Sequence, residues 1–203
     1  MKEFPTQPNR WWIVKPAVFA VCLVPLTLLL LAIAGDRLSA NPLEDIRDTT
    51  GIWALRFLML TLCITPLRRL SGMNSLIRFR RMLGLFAFFY AFLHFVTYVW
   101  LDQFFDVHAM VDDLAKRRFI MAGYFSFILI VPLAITSTKG WIIRIGGKKW
   151  QALHRLVYIS AAAGVVHYFW RVKSDIRLPA VYAIVLSLLL AFRILRARRV
   201  RES

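Results

Sequence analysis

The sequence has 203 residues, 59% of them hydrophobic, and carries a formal net charge of +16 at pH 7. Soluble globular domains are nearer ~45–50% apolar, so this composition and a mean hydropathy of +0.60 indicate a membrane protein. The cations form short clusters between apolar runs, a pattern that is typical of membrane topology and argues against nucleic acid as a partner.

Six apolar segments are long enough to cross a bilayer, whose hydrocarbon core of about 30 Å needs ~17–25 residues of helix. They are residues 16–34, 51–67, 82–101, 119–137, 150–170 and 178–194. None of them alternates in polarity as barrel strands do. We therefore predict an all-α integral membrane protein, a six-transmembrane-helix bundle that forms one domain over residues 1–203. Five segments follow the first, which favours a retained anchor over a cleaved signal peptide.

Lysine and arginine lie mainly in the N-terminus, the second and fourth loops and the C-terminal tail. These residues are Lys2, Arg10, Lys15, Arg68, Arg69, Arg78, Arg80, Arg81, Lys139, Arg144, Lys148, Lys149, Arg193, Arg196, Arg198, Arg199 and Arg201. The other three loops carry fewer: Arg37, Arg47, Lys116, Arg117, Arg118, Arg171, Lys173 and Arg177. Because cytoplasmic loops are rich in Lys and Arg, we expect both termini to be cytoplasmic.

Three of the four histidines fall inside predicted spans, His94 in the third and both His154 and His167 in the fifth. An ionisable side chain at membrane depth is costly and often functional, although one alone is equally consistent with packing or hydrogen bonding. The third and fifth spans run in the same direction, so His94 and His167 share a level near the outer surface. His154 lies near the inner surface, because the thirteen residues that separate it from His167 rise about 19.5 Å in a helix.

Two such levels suit two redox centres stacked across the membrane. Imidazole is a common heme ligand, and iron held by two imidazoles has no open position, so it transfers electrons and does not activate oxygen. One difficulty is rotation, since at about 100° per residue an ideal helix places His167 roughly 140° from the face of His154. The small residues 160–164 between them favour either close approach of a flat macrocycle or ordinary helix packing through Ser160 and Gly164.

Five arginines are candidates for contacts with the carboxylates of heme. Arg56 and Arg171, together with Lys173, lie at the outer level, and Arg80, Arg81 and Arg155 lie at the inner level. Extension of these side chains to lipid headgroups explains each of them equally well.

The fourth histidine, His108, lies in an acidic outer loop. The acidic residues of this loop are Asp102, Asp106, Asp112 and Asp113. We expect His108 to be a solvated surface residue, with metal capture by the loop as the alternative. The same loop, residues 102–118, is our candidate docking surface for a partner protein.

Several local motifs together resemble one family. They are ITPLRR at residues 64–69, RRMLGL at 80–85 followed by FFYAFLH at 88–94, PLAITST at 132–138, WQALHRLVY at 150–158 and HYFWRVKSD at 167–175. These motifs, which lie between the second span and the loop after the fifth, closely resemble the MsrQ (YedZ) family within the ferric-reductase-like transmembrane superfamily, and the resemblance as a whole runs from the first span to the last.

The resemblance implies a multi-pass b-type cytochrome of the bacterial inner membrane, with one or two heme b groups and, by resemblance alone, FMN. Such a subunit would take electrons from the quinone pool or a cytoplasmic flavin reductase. It would deliver them to a periplasmic molybdopterin enzyme, MsrP, which reduces methionine sulfoxide and so supports repair of oxidised periplasmic proteins. The chain itself would not act on methionine sulfoxide.

The resemblance also implies a set of metal ligands. The superfamily pattern places two histidines on each of two helices, whereas the inner position of the third span here holds Arg80 or Arg81. His94 and His167 therefore form the expected ligand pair. His154 would ligate a second heme with an unknown partner, or line a flavin or quinone site.

Two other classes of function stay open. A proton-coupled transporter would use the intramembrane histidines as a relay and would need acidic partners within the spans. The predicted spans contain none of the eleven acidic residues. A stand-alone ferric-reductase-like protein would need a cytoplasmic FAD/NADPH domain, for which we expect the short C-terminal tail to leave no room.

Overall fold

The computed structural model describes residues 11–202, with the backbone alone for residues 197 and 199–202. Every regular element in this part of the chain is helical, as predicted. The described residues divide into two units, 11–37 and 38–202. Two members of the N-terminal basic cluster, Lys2 and Arg10, lie outside the described residues.

The first unit is one apolar helix, α1 (Trp11–Ala34), which begins before the predicted residue 16. It contains both Pro16 and Pro25, and it is long and apolar enough to cross a membrane. The helix ends in a turn in which Asp36 has a φ of 50° and the Arg37 amide donates to the Ala32 carbonyl.

The second unit contains the remaining helices. They are α2 (Pro42–Ser71), a 3₁₀ turn (Asn74–Leu76), α3 (Ile77–Val96), a π-helical segment (Thr97–Asp102), α4 (Val107–Lys116), α5 (Arg118–Ile135), α6 (Lys139–Ile145), α7 (Gly147–His154), α8 (Leu156–Arg171) and α9 (Arg177–Glu202). The short helices α4 and α6 lie in segments that the prediction leaves as loops.

Helix α2 begins at Pro42, well before the predicted start of its span at residue 51. The Asn41 side chain accepts a hydrogen bond from the Glu44 amide, and proline occupies the first turn, where its missing N–H has no cost. Glu44 and Asp45 in that turn complement the positive end of the helix dipole. The acidic residues at 44, 45 and 48 are therefore part of a helix that also forms a candidate span, contrary to the predicted limits.

Two helix pairs form the body of the second unit, with α2 packed mainly on α3 and α5 mainly on α8. In the first pair the Phe57 ring stacks on the buried Tyr90 ring, with centroids 5.3 Å apart. In the second pair the hydroxyls of Ser126 and Ser160 each donate to the backbone carbonyl of the other residue, at 2.8 and 2.9 Å. Gly164 lies beside Ser126, so the small residues of α8 serve close helix packing.

The fifth predicted span is interrupted. Helix α7 ends at His154, and α8 begins at Leu156 after a turn at Arg155. Hydrogen bonds between residues three apart flank the turn, from the Arg155 amide to Ala152 and from the Tyr158 amide to Arg155. Arg155 keeps right-handed helical dihedral angles (φ −70°, ψ −20°), so the interruption is a single tightened turn.

Five helical segments among the described residues are long and apolar enough to cross a membrane. They are Trp11–Ala34, Pro42–Ser71, Asn74–Asp102, Arg118–Ile135 and Arg177–Arg196. Helix α8 is apolar but has only 16 residues. The structure therefore supports a multi-pass helical membrane protein, while the count of six spans and the cytoplasmic position of both termini stay predictions.

Candidate functional site

His94 on α3 and His167 on α8 face each other. Their ring centroids are 6.0 Å apart, and the ring planes are inclined by 77°. Each histidine comes from a different helix pair, so the packing of the second unit brings together two residues that are far apart in the sequence. Both residues are only partly buried.

Each of these rings makes a hydrogen bond to a backbone carbonyl of the other helix in its pair. His94 Nδ1 lies 2.8 Å from the Arg47 carbonyl oxygen on α2, and His167 Nδ1 lies 2.6 Å from the Phe119 carbonyl oxygen on α5. Because a carbonyl only accepts hydrogen bonds, Nδ1 is assigned as the protonated nitrogen in both rings. The unprotonated Nε2 of each ring is then free to bind a metal.

The spacing of the rings fits one metal atom between them. Two metal–imidazole bonds of about 2 Å each span about 4 Å, and half a ring on either side brings the expected centroid separation to about 6 Å. Among the described residues no group of three His, Cys, Asp or Glu side chains is placed to hold a metal ion. The pair suits a metal whose remaining ligands come from a macrocycle, as in heme.

Arg171, at the C-terminal end of α8, ties the two helix pairs together beside the histidines. Its guanidinium pairs with the carboxylate of Asp48 and lies 3.5 Å from that of Glu44, both on α2. The Arg171 side chain is only 19% exposed. A second ion pair of 3.1 Å joins Arg47 on α2 to Asp102, which follows α3. The structure thus gives Arg171 protein partners, a role the sequence does not predict.

Arg56, the other outer candidate, is exposed and lies on the same helix as Arg47. Its Nε donates to the Tyr182 hydroxyl at 3.2 Å, and its guanidinium lies 4.6 Å from the Trp53 ring centroid. Neither contact involves the paired histidines.

His154 has a different environment from the outer pair. Its Nδ1 lies 3.1 Å from the Trp150 carbonyl oxygen on its own helix, and the Trp150 ring stacks on it with centroids 3.8 Å apart. The backbone of Leu133 is also close, but Nε2 is buried and has no hydrogen-bond partner of good geometry. A buried imidazole nitrogen without a partner is a candidate ligand atom.

The inner arginines are not equivalent. Arg80 is half-buried and close enough to His154 for electrostatic interaction, whereas Arg81 and Arg155 are exposed. Arg80 therefore occupies the inner position on α3, fourteen residues before His94 and about 21 Å along the helix axis.

Arg193 on α9 joins this inner region, although its sequence position suggests only a basic tail. Its guanidinium contacts the Tyr158 hydroxyl and lies 4.7 Å from the Tyr158 ring centroid. Its Nε and one terminal nitrogen are buried without hydrogen-bond partners, and Arg80 and Arg69 lie within electrostatic range. Such a concentration of positive charge favours an anionic group here.

His108 lies on α4 and is exposed, as predicted for a surface residue. Asp106 caps α4 by accepting a hydrogen bond from the Ala109 amide, and Asp112 and Asp113 form ion pairs with Lys116 and Arg117.

Comparison with known proteins identifies the family to which this chain belongs. Residues 50–165 match the family described as "Ferric reductase like transmembrane component". The chain is 50% identical to the "Protein-methionine-sulfoxide reductase heme-binding subunit MsrQ" of Herminiimonas arsenicoxydans, over 100% of this chain and 94% of the relative. It is 48% identical to the protein of that name from Azospira oryzae (97% and 84% coverage) and 49% identical to that from Rhodospirillum rubrum (92% and 90%). No solved structure matches the chain. Identity of this level over nearly the whole length means that the chain belongs to the MsrQ family of ferric-reductase-like transmembrane proteins.

Proposed function

We propose that this protein is the heme-binding membrane subunit of a methionine sulfoxide reductase system. The observation that carries the proposal is the pair of imidazole rings with centroids 6.0 Å apart, each with Nδ1 fixed by a neighbouring helix. The relatives cited above are named heme-binding subunits, which agrees with this geometry. His94 and His167 would hold the iron through Nε2.

Heme held by His94 and His167 would supply a one-electron ferric/ferrous couple, and its two imidazole ligands would leave oxygen no position on the iron. The protein contributes fixed ligands. The carbonyls of Arg47 and Phe119 keep a proton on each Nδ1, so that Nε2 stays unprotonated. Arg171, held by Asp48 and Glu44, keeps the two ligand-bearing helix pairs together at this level.

The inner level of the protein would hold the second redox group. His154 supplies a buried nitrogen without a partner, and Arg80 lies beside it. Arg81 and Arg155 are exposed at the same end. These residues suit either a second heme b, with its carboxylates on the arginines, or FMN, with its phosphate on them.

In this scheme the chain spans the bacterial inner membrane six times, with both termini in the cytoplasm. Electrons enter at the inner level from the quinone pool or a cytoplasmic flavin reductase. They leave at the outer level to periplasmic MsrP, a molybdopterin enzyme that restores methionine in oxidised proteins. Arg56 and Arg171 would lie near the heme carboxylates at the outer level, and residues 102–118 would meet the partner.

A proton relay is less well supported by the same contacts. The partners of Nδ1 are carbonyl oxygens, which do not take up and release protons in the physiological range. Asp48 and Glu44 pair with Arg171, and Asp102 pairs with Arg47.

The proposal is tested by quantifying heme and flavin per polypeptide in detergent-purified protein and recording its reduced and oxidised spectra. We expect a reversible low-spin b-type spectrum that is lost in His94→Ala and in His167→Ala. His108→Ala is the matched control, because this histidine is exposed on α4, and it should keep the spectrum. His154→Ala should alter only the contribution of the inner level. An unchanged spectrum in both outer variants would reject the ligand assignment.

A further inference from the structure

Each outer histidine ring lies against a glycine. A Cβ atom built on Gly51 of α2 would lie 2.9 Å from both Cε1 and Nδ1 of His94. A Cβ atom on Gly123 of α5 would lie 2.7 Å from Nδ1 and 2.9 Å from Cε1 of His167. Real Cβ atoms do not approach other atoms this closely, so only glycine leaves room for either ring in its present position.

Other helical glycines of the second unit do not have this property. A Cβ on Gly84 would lie 3.6 Å from Thr61 Cγ2, and one on Gly164 would lie 3.4 Å from Ser126 Oγ. The first distance is ordinary van der Waals contact, and the second requires only a small adjustment. The close approach is therefore specific to the two candidate ligand rings.

The glycines also lie at a fixed position relative to the hydrogen-bond acceptors. Gly51 follows Arg47 by four residues, and Gly123 follows Phe119 by four residues. In an α-helix the carbonyl of residue i accepts from the amide of residue i+4, so each acceptor carbonyl already bonds the amide of its glycine. A carbonyl oxygen has a second lone pair, and the imidazole reaches it by passing over the glycine Cα.

The same arrangement therefore occurs twice, in two helix pairs that share no residues. In each pair one helix supplies the carbonyl and the glycine, and the other supplies the histidine. A single close contact is consistent with chance packing, but its repetition on the two candidate ligands, with the same spacing, indicates a common role.

We propose that Gly51 and Gly123 are positioning residues that set the orientation of the two imidazoles and the strength of their Nδ1–H···O=C bonds, and thereby the reduction potential of the iron between them. The inference rests on the proposed function. Donation from Nδ1–H makes the imidazole a stronger electron donor, which favours ferric iron. A methyl group at either glycine would push the ring away, weaken that bond and raise the reduction potential.

The test compares Gly51→Ala and Gly123→Ala with Gly84→Ala, a helical glycine whose added methyl has space. Redox titration of the purified holoprotein should show a higher midpoint potential for the outer heme in the first two variants. We expect about a tenfold change in the one-electron equilibrium constant, which equals about 59 mV. The electron paramagnetic resonance g values of the ferric form should also move, because they report the relative orientation of the ligand rings. Gly84→Ala should match the unmodified protein in both measurements.

An unchanged or lowered potential with unchanged g values in both variants would overturn the proposal, even where the unmodified protein binds heme. Absence of heme from the unmodified protein would instead contradict the proposed function. If both variants lose heme, the proposal is tested on the unmodified ferrous protein instead. Its two ligand Nδ1 protons should exchange slowly with solvent in proton NMR spectra, and rapid exchange of both would overturn the proposal.

Discussion

The outer and inner histidines differ in what holds them. His94 and His167 bond to carbonyls of the neighbouring helices α2 and α5. His154 bonds to the carbonyl of Trp150, four residues earlier on its own helix, and stacks on the same residue. The outer rings are thus oriented by tertiary packing, whereas the inner ring is oriented by its own turn of helix.

This difference has consequences for the stability of the two levels. The outer pair depends on the relative positions of four helices. A change in the α2–α3 or α5–α8 packing should therefore change the positions of the two ligand rings. The inner ring should keep its local orientation under the same changes, because its contacts with Trp150 lie within α7. Substitutions can therefore change one of the two levels without changing the other.

The largest effect is expected from Ser160→Leu. Ser160 has no exposed surface, and it exchanges hydrogen bonds with Ser126 across the α5–α8 contact. A leucine there would force the helices apart at a cost of about 1–3 kcal/mol and move His167 away from its acceptor on α5. We expect loss of the outer heme spectrum and a lower thermal midpoint.

Ser187→Leu is the matched control for this prediction, because Ser187 is exposed on α9 and its hydroxyl bonds only within that helix. It should keep both the spectrum and the thermal midpoint. Equal behaviour of the two variants would show that the outer pair does not depend on the α5–α8 contact.

A second substitution would make the inner level resemble the outer one. Arg80→His places an imidazole on α3 near His154, at one of the two positions, 80 and 81, where the superfamily resemblance implies a fourth histidine. We expect the heme content to rise, by up to one heme per polypeptide, if the inner level normally holds something other than a second heme. The pyridine hemochrome assay measures this ratio. Arg81→His, at the exposed neighbouring position, should leave it unchanged.

The sequence predicts the outer pair well because depth in a membrane helix follows from residue count. His94 and His167 fall late in predicted spans of the same direction, and the helical rise alone places them at one level. The apolar length of each segment likewise predicts most of the helices.

The features that the sequence does not predict have local or tertiary causes. The start of α2 at Pro42 has a clear signal in the capping residue Asn41 and the acidic first turn, but a hydropathy criterion excludes polar residues. The turn at Arg155 contains neither proline nor glycine, so nothing in the sequence marks it. The role of Gly51 and Gly123 emerges only when α3 and α8 are packed in place.

A smaller effect, confined to the inner level, is expected from Trp150→Leu. The tryptophan ring stacks on His154, and its Nε1 donates to the Thr136 carbonyl at 2.8 Å. Loss of such an aromatic contact costs about 0.5–1.5 kcal/mol. The outer heme spectrum should be unaffected, while any heme or flavin signal assigned to the inner level should weaken. Trp100→Leu, which alters an exposed tryptophan, controls for the general effect of losing an indole, and a matching loss in both variants would contradict this prediction.

The smallest effect is expected from Arg171→Gln, which removes the link between α8 and the first turns of α2. The partners Asp48 and Glu44 are about half exposed, so the pairs are screened by solvent and should contribute no more than about 1 kcal/mol. Loss of this positive charge beside the outer pair should also lower the reduction potential there, since a nearby cation favours the ferrous form. The reduction potential of a redox group at the inner level should not change, because Arg171 is the last residue of α8 whereas His154 precedes the first.

Arg177→Gln provides the comparison, since its weak pair with Asp175 is almost fully exposed. If the two variants shift the outer potential equally, the charge of Arg171 has no specific influence on the iron and the ion pair serves only to hold the helices together.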